Sequence, residues 1–352
     1  MIDLLNSRLY PGFDLSFNQL NAVQKNEKGK VSIVDYSNMI WVREAITHLI
    51  KELNKDLVVE FVTPDDKQRS FARQVLGIEL SIEDSKKNFN KNKRIIGISS
   101  GKGGVGKSTS SAMLALAMTH EFGKKVGVMD ADIWGYSIPK MLGAIFPPIP
   151  FEGRILPSYT HGVKVISMDY FVKKGEAVIW RGPMLHKAIE QFLYEVVWQD
   201  IDFLIIDMPP GTGDVSISLS QFLSITETLI ITTPQKTSSD VAQRAGIMAN
   251  KVKSEVIGVI ENMSYIQVGK EKLFPFGEGG GRLLAENLKT NFLGSVPLDP
   301  EVGRLADSGD LISSKKSTVY KSFVEIAESI IKIKPKKFLS IYQLIDHGKA
   351  NS

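Results

Sequence analysis

Residues 101–109 read Gly101-Lys102-Gly103-Gly104-Val105-Gly106-Lys107-Ser108-Thr109, and they stand between the apolar run Ile95-Ile96-Gly97-Ile98 and a stretch rich in Ala and Leu. A strand that turns through glycines directly into a helix matches G-x-x-x-x-G-K-[ST] in the context that pattern needs. Glycines let the backbone turn tightly and aim its N–H groups at phosphate oxygens, and the N-terminus of the helix beginning near Lys107 adds partial positive charge. Gly101 through Thr109 are therefore expected to line the phosphates of a nucleotide. Lys107 is expected to contact the β- and γ-phosphates, and the Ser108 hydroxyl to be a Mg²⁺ ligand. Lys102 lies inside the loop, where an ordinary phosphate cradle has no need of it.

Three carboxylates follow at strand ends. Asp207 closes the apolar run Phe203-Leu204-Ile205-Ile206, the place for an acid that polarises Mg²⁺-bound water. Met208-Pro209-Pro210-Gly211-Thr212-Gly213-Asp214 comes next, a stiff proline pair and two glycines suited to a loop that responds to the γ-phosphate. Asp130 and Asp132 end a second apolar run, Val126-Gly127-Val128-Met129, and alternation along a strand sends both the same way. Asp130 is expected to support Mg²⁺ from behind its direct ligands, and Asp132 to orient the attacking water. Asn262, at the end of another apolar run, is a candidate reader of the adenine edge, with Pro297 and Asp299 on the opposite side of the base.

The remaining pattern predicts an α/β chain with a doubly wound, mostly parallel sheet. Strands are expected at 94–100, 125–130, 163–168, 202–207, 228–233, 256–261 and 292–296, with helices at 107–121, 182–198, 239–253 and 280–288. A small α+β unit is expected over residues 1–80, with strands at 31–34 and 57–62 and helices at 41–53 and 65–76. Residues 81–94, polar and rich in Lys and Asn, read as a linker, 95–335 as the nucleotide domain and 336–352 as a tail.

No apolar run approaches the ~20 residues a membrane helix needs. The N-terminus lacks the features of a signal peptide, so a cytoplasmic location without membrane attachment is expected. The formal charge is +4, and the basic excess gathers in short runs near residues 86–94 and 332–337 without interleaved aromatics, which argues against nucleic acid as a partner. There is no cysteine among the 352 residues, which excludes disulfides, a catalytic thiol and any iron-sulfur ligand of the usual thiolate kind from this chain.

The motifs together resemble the Mrp/ApbC family: Gly101 to Thr109, Asp130-Ala131-Asp132-Ile133-Trp134-Gly135-Tyr136-Ser137-Ile138-Pro139, Trp180-Arg181-Gly182-Pro183-Met184, Asp207 to Asp214, and Asn262-Met263-Ser264. The second loop lysine resembles the deviant Walker A motif of the MinD, ParA and nitrogenase iron protein ATPases, in which it reaches across a dimer interface to the other subunit's nucleotide. Residues 1–80 are similar to the MIP18-like domain that often precedes such ATPases. The resemblance implies a homodimeric, slow ATPase, with ATP and Mg²⁺ bound and Lys102, Lys107 and Asp132 catalytic, that carries iron-sulfur clusters to an apoprotein or scaffold partner. Family members that hold a cluster have C-x-x-C after the Asn-Met-Ser segment, whereas this chain has Tyr265-Ile266-Gln267-Val268-Gly269-Lys270-Glu271-Lys272-Leu273. The alternative is a nucleotide-gated dimer switch of the MinD or ParA kind that acts on a protein partner without metal-cluster chemistry.

Overall fold

The structure, a computed structural model, describes residues 2–27, 29–78, 81–89, 93–132, 135, 137–171, 182–198, 200–210, 222, 227–251 and 254–334. Ile133, Trp134 and Tyr136, the pair Trp180-Arg181, the loop 211–214 and the tail 336–352 lie outside the described residues. The chain forms two compact units, one from residues 1–86, 146–159 and 194–200, the other from 87–145, 160–193 and 201–352.

The smaller unit has a three-stranded sheet of β1 (Val23–Glu27), β2 (Lys30–Val34) and β3 (Val58–Val62), with β1 antiparallel and β3 parallel to β2. Helix α1 spans Ile2–Asn6. Helix α2 (Ile40–Leu53) buries Val42, Ile46 and Ile50, spaced at four residues, so one stripe faces the core. Helix α3 (Asp66–Val75) begins in a capping box: the Gln68 amide donates to the Asp65 carboxylate and the Asp65 amide to the Gln68 side chain, both at 2.8 Å. The stretch expected to be a linker contains a further helix, α4 (Ile82–Asn88). The Asp84 amide donates to the Ser81 hydroxyl at 3.0 Å, a local cap that starts this helix despite its polar composition.

The expected boundary at residue 80 also leaves out two later pieces of this unit. The first is the hairpin β6 (Ile149–Phe151) and β7 (Arg154–Leu156), joined through Glu152 and Gly153 at φ 50 and 72°, a two-residue turn of the kind whose twist matches the strands. The second is the strand-like pairing of Val196 with Ile155. Together they place Ile149, Phe151, Leu156 and Val197 in one core with Tyr10, Phe13, Phe17, Ile33 and Ile46.

The larger unit is built on an eight-stranded sheet, counted among the described residues, in the order β15-β12-β11-β4-β10-β5-β9-β8. These are β4 (Arg94–Ser100), β5 (Val126–Asp130), β8 (Ser158–Thr160), β9 (Val163–Ser167), β10 (Phe203–Asp207), β11 (Glu227–Thr232), β12 (Glu255–Glu261) and β15 (Asn291–Ser295). The pairs from β15 through to β9 are parallel, and the strands β4, β5, β10, β11 and β12 are buried almost throughout, as their continuous apolar runs require.

Helix α5 (Lys107–Phe122) is buried along most of its length, from Ser110 to Met118. It packs in the same core as α11 (Thr318–Lys332), whose Val319, Phe323, Ile326 and Ile330 form its inward stripe. The other core joins α8 (Lys236–Lys251) and α9 (Gly280–Leu288) to β11 and β12 through Ala242, Leu284, Ile230 and Val259. Helix α7 (Gly182–Tyr194) is shorter than the 182–198 expected, because Val196 and Val197 leave it to pair with Ile155. The remaining elements are α6 (Ile138–Met141), β13 (Ile266–Val268), β14 (Glu271–Leu273) and α10 (Pro300–Ser308).

Candidate functional site

The glycine loop leaves the C-terminal end of β4, a central strand flanked by β11 and β10, so it emerges where a doubly wound sheet opens its binding crevice. Gly104 and Gly106 have φ of 78 and 82°, left-handed values that glycine adopts without steric cost. An added Cβ at Gly101 would lie 2.4 Å from the Ala242 amide nitrogen, and one at Gly106 would lie 2.1 Å from Asn262 Nδ2. Next to Gly103 and Gly104 there is open space. The loop is thus held from behind and open in front, as a cradle for phosphates must be. Val105 is buried and its carbonyl accepts a hydrogen bond from Asn262 Nδ2 at 2.8 Å.

Register brings the carboxylates together. Asp207 of β10 stands opposite Asp130 of β5, and Asp130 in turn opposite Ser167 of β9. Asp207 is fully buried and accepts from the Ser108 hydroxyl at 2.6 Å and the Ser111 hydroxyl at 2.9 Å. The Lys107 ammonium lies 2.9 Å from Asp207 Oδ1 and 3.6 Å from Asp132 Oδ2, yet makes no aligned hydrogen bond there. A buried ammonium with unaligned acceptors fits an additional anion in front of it, and a phosphate oxygen is the anion the glycine cradle suits.

Asp130 is held by the Ser137 and Ile138 amides at 3.1 and 3.3 Å and by the Ser167 hydroxyl at 3.2 Å. Burial, and after it the Asp207 carboxylate, pushes its pKa from 3.8 up to about 7. Asp132 accepts from the Gly135 amide at 3.2 Å. Lys102 is exposed, with Nζ 3.4 Å from Gln235 Oε1, and Thr109 follows Ser108 in the first turn of α5. Asn262 thus grips the loop itself. Pro297 follows β15, the neighbour of β12, and Asp299 accepts from the Glu301 amide at 3.0 Å as the cap of α10.

Sequence reasoning missed Ser111, Ser167 and Gln235. Ser111 follows Ser108 by three residues on α5 and so shares its face, a spacing visible in the sequence. Ser167 and Gln235 meet their partners only through the sheet and the fold. Among the described residues no group of three His, Cys, Asp or Glu side chains is arranged to hold a metal ion. Mg²⁺ suits the phosphate site nevertheless, since it keeps several waters and takes oxygens from one or two protein groups and the substrate's phosphates.

A family model described as ParA, NUBPL iron-transfer P-loop NTPase, matches residues 91–331. The chain belongs to this family. Among its relatives in the iron-transfer NTPase family is the iron-sulfur cluster carrier protein of Mycobacterium bovis, 46% identical over 246 residues, which cover 67% of this chain and 64% of that protein. The match therefore spans under two thirds of the mycobacterial relative's length. The protein of the same name from Saccharolobus solfataricus is 38% identical over 273 residues, covering 75% of this chain and 91% of its own. A nucleotide-binding protein from Archaeoglobus fulgidus, solved in complex with ADP, superposes with a TM-score of 0.59 at 33% identity, covering 68% of this chain and 96% of that one. The cell division ATPase MinD of Pyrococcus furiosus, at 24% identity and a TM-score of 0.51 over 68% of this chain and 99% of that one, shares the fold. These findings agree with the Mrp/ApbC resemblance and with the α/β, doubly wound architecture. Among the described residues no helix is long and apolar enough to cross a membrane.

Proposed function

We propose that this chain is a Mg²⁺-dependent ATPase of the iron-transfer NTPase family that works as a homodimer on a partner protein. The observation that carries this reading is the convergence of Lys107, Ser108, Asp207, Asp130 and Asp132 at the ends of three strands, beside a glycine cradle. The amides of residues 101–109 bind the phosphates, and Lys107 turns from its two carboxylates to the β- and γ-oxygens. The Ser108 hydroxyl, with Asp207 and Asp130 behind it, would hold Mg²⁺, which supplies charge neutralisation on the phosphates when bound. Asp132 orients the attacking water, and Asn262, Pro297 and Asp299 form the adenine side. Positioning and electrostatic stabilisation provide most of the acceleration in phosphoryl transfer, and no covalent intermediate is needed.

Lys102 supplies the partner copy's nucleotide with a second cation, a role its exposure supports. The test is a pair of variants. Lys107→Ala should abolish nucleotide binding, whereas Lys102→Ala should keep the ATP Kd within about threefold and reduce kcat at least tenfold. Equal loss of affinity in both variants would refute the intersubunit role, and hydrolysis that persists in excess EDTA would refute the Mg²⁺ requirement.

The relatives' name makes iron-sulfur clusters the cargo proposed for this chain, with an apoprotein or scaffold as the other party. The residues here do not fit direct ligation, since soft thiolates are absent. Any cluster must then be held with ligands from a partner. Anaerobic reconstitution with iron and sulfide should give a charge-transfer absorption band only when such a partner is added, and no band in either case removes cluster carriage. A second reading is favoured by the exposed, cysteine-free hairpin of β13 and β14, which follows Asn262-Met263-Ser264 where the Mrp/ApbC resemblance implies C-x-x-C in members that hold a cluster. On that reading the chain is a nucleotide-gated switch without metal chemistry. An ATP-locked form should capture a partner that the ADP form releases, and equal capture by both would count against it.

A further inference from the structure

The smaller unit contains a cavity of about 300 Å³, lined by residues of that unit alone, among them Tyr36, Asn38, Arg43, Thr63, Arg69 and Phe151. It is separate from the phosphate site, and the ATPase chemistry makes no use of it. Its charged groups are not equivalent. Asp35 is buried and its carboxylate is committed: Oδ1 accepts from the Ser37 amide and hydroxyl and the Asn38 amide at 3.0 to 3.2 Å, and Oδ2 from Arg43 Nε at 2.6 Å. Glu152 accepts from Arg69 Nη1 at 2.8 Å and has Arg73 Nη1 at 3.9 Å from its other oxygen. Asp65, at the start of α3, is occupied by its capping box.

The guanidinium groups, in contrast, have donors to spare. Arg43 uses Nε on Asp35 and Nη2 on the Asn38 side chain at 3.0 Å, and Arg69 uses Nη1. Nη1 of Arg43 and Nε and Nη2 of Arg69 have no protein acceptor among the described residues. Fixing Arg43 through two of its nitrogens orders the planar fork in advance, so less side-chain entropy is lost when a further acceptor arrives. Pro150, which is exposed, adds apolar surface to a lining that is otherwise mostly polar. A phosphate ion would leave the Pro150 surface unused and would fill only part of the volume.

We propose that this cavity is a binding site for a small organic carboxylate, whose carboxylate group is taken by Arg43 and Arg69 and whose carbon chain lies against Pro150. The planar oxyanion matches the guanidinium forks, and the chain removes apolar surface from water.

The experiment is calorimetric titration of the full chain, saturated with ADP and Mg²⁺ so that the phosphate loop is filled, with glutarate and separately with inorganic phosphate. Glutarate should bind with a Kd of about 1 mM or tighter, and more tightly than phosphate. Arg69→Gln should weaken it about tenfold, with Arg69→Lys intermediate because the charge stays and the fork is lost. Both variants should keep the wild-type ADP affinity and thermal midpoint, since Arg69 sits on the surface of α3. The assignment is overturned if glutarate shows no binding at 20 mM, roughly twentyfold above the expected Kd. Equal affinity in Arg69→Gln, or phosphate bound as tightly as glutarate, overturns it too.

Discussion

The chemistry of the larger unit turns on how three carboxylates and one ammonium share a small buried volume. Asp207 is stabilised there by Lys107 and two hydroxyls, whereas Asp130 faces Asp207 with amides and one hydroxyl as compensation. Burial and like charge favour its protonated form, which is why its pKa is raised to about 7. In nucleotide-free, Mg²⁺-free protein the folded chain then holds a proton between about pH 4 and 7 that the unfolded chain has released. Stability from this group therefore falls as pH rises through that window and levels off above it. The integrated effect is on the order of 4 kcal/mol. Asp130→Asn lacks this dependence, so the difference in Tm, variant minus wild type, should grow in the variant's favour from pH 4.5 to 7.5. Parallel Tm curves over that range would show that Asp130 ionises normally. Such a site was partly legible in the sequence: Gly101 to Ser108, Asp130 and Asp207 follow from strand ends and spacing. That Asn262 holds Val105 was not, because a side chain reaching a carbonyl 157 positions away is fixed only by the sheet order.

Among the elements, the strands of the large sheet were readable because buried parallel strands are short, continuous and β-branched. Helix α5 was readable from its place after the glycines. Helix α11 was not among the expected helices, although Ser317 caps it through the Tyr320 amide at 3.0 Å and its buried positions repeat at three and four residues. Only its last residue joins the basic run at 332–337, and its periodicity marks a core helix within the expected nucleotide domain. The three-residue strands β6 and β7 were hidden for another reason. Pro147, Pro148 and Pro150 suppress any strand propensity, and only the turn at Glu152-Gly153 marks a hairpin. Packing decides both cases. Phe323 is buried at 1% exposure in the core that α11 shares with α5, so Phe323→Ala should cost about 3–5 kcal/mol. Chemical denaturation followed by circular dichroism measures this, and a loss below about 1 kcal/mol would mean that α11 is not part of the cooperative core.

At the scale of the whole chain, the sequence reads as a small unit, a linker and a nucleotide domain in succession, whereas the smaller unit draws two pieces from far along the chain. The difference has a physical basis. Residues 1–86 alone supply Tyr10, Phe13, Phe17, Ile33 and Ile46, but the same core is completed by Ile149, Phe151, Leu156 and Val197. Phe151 lies with its ring 6.1 Å from that of Phe13 at 77°, an edge-to-face pair buried at the centre of the unit. A unit of 107 residues buries a modest fraction of its surface, so the loss of four apolar side chains removes much of its margin. A fragment of residues 1–86 should therefore show no cooperative thermal transition. In the full chain, Phe151→Ala should lower the protection of β2 amides against hydrogen exchange by about 3–5 kcal/mol, although position 151 is over 100 residues from β2 in sequence. Protection in β12 reports the other core and should be unchanged. A fragment of residues 1–86 that melts cooperatively at the temperature of the full chain's β2 would show that the later segments are accessory, and the unit would then end where the sequence first suggested.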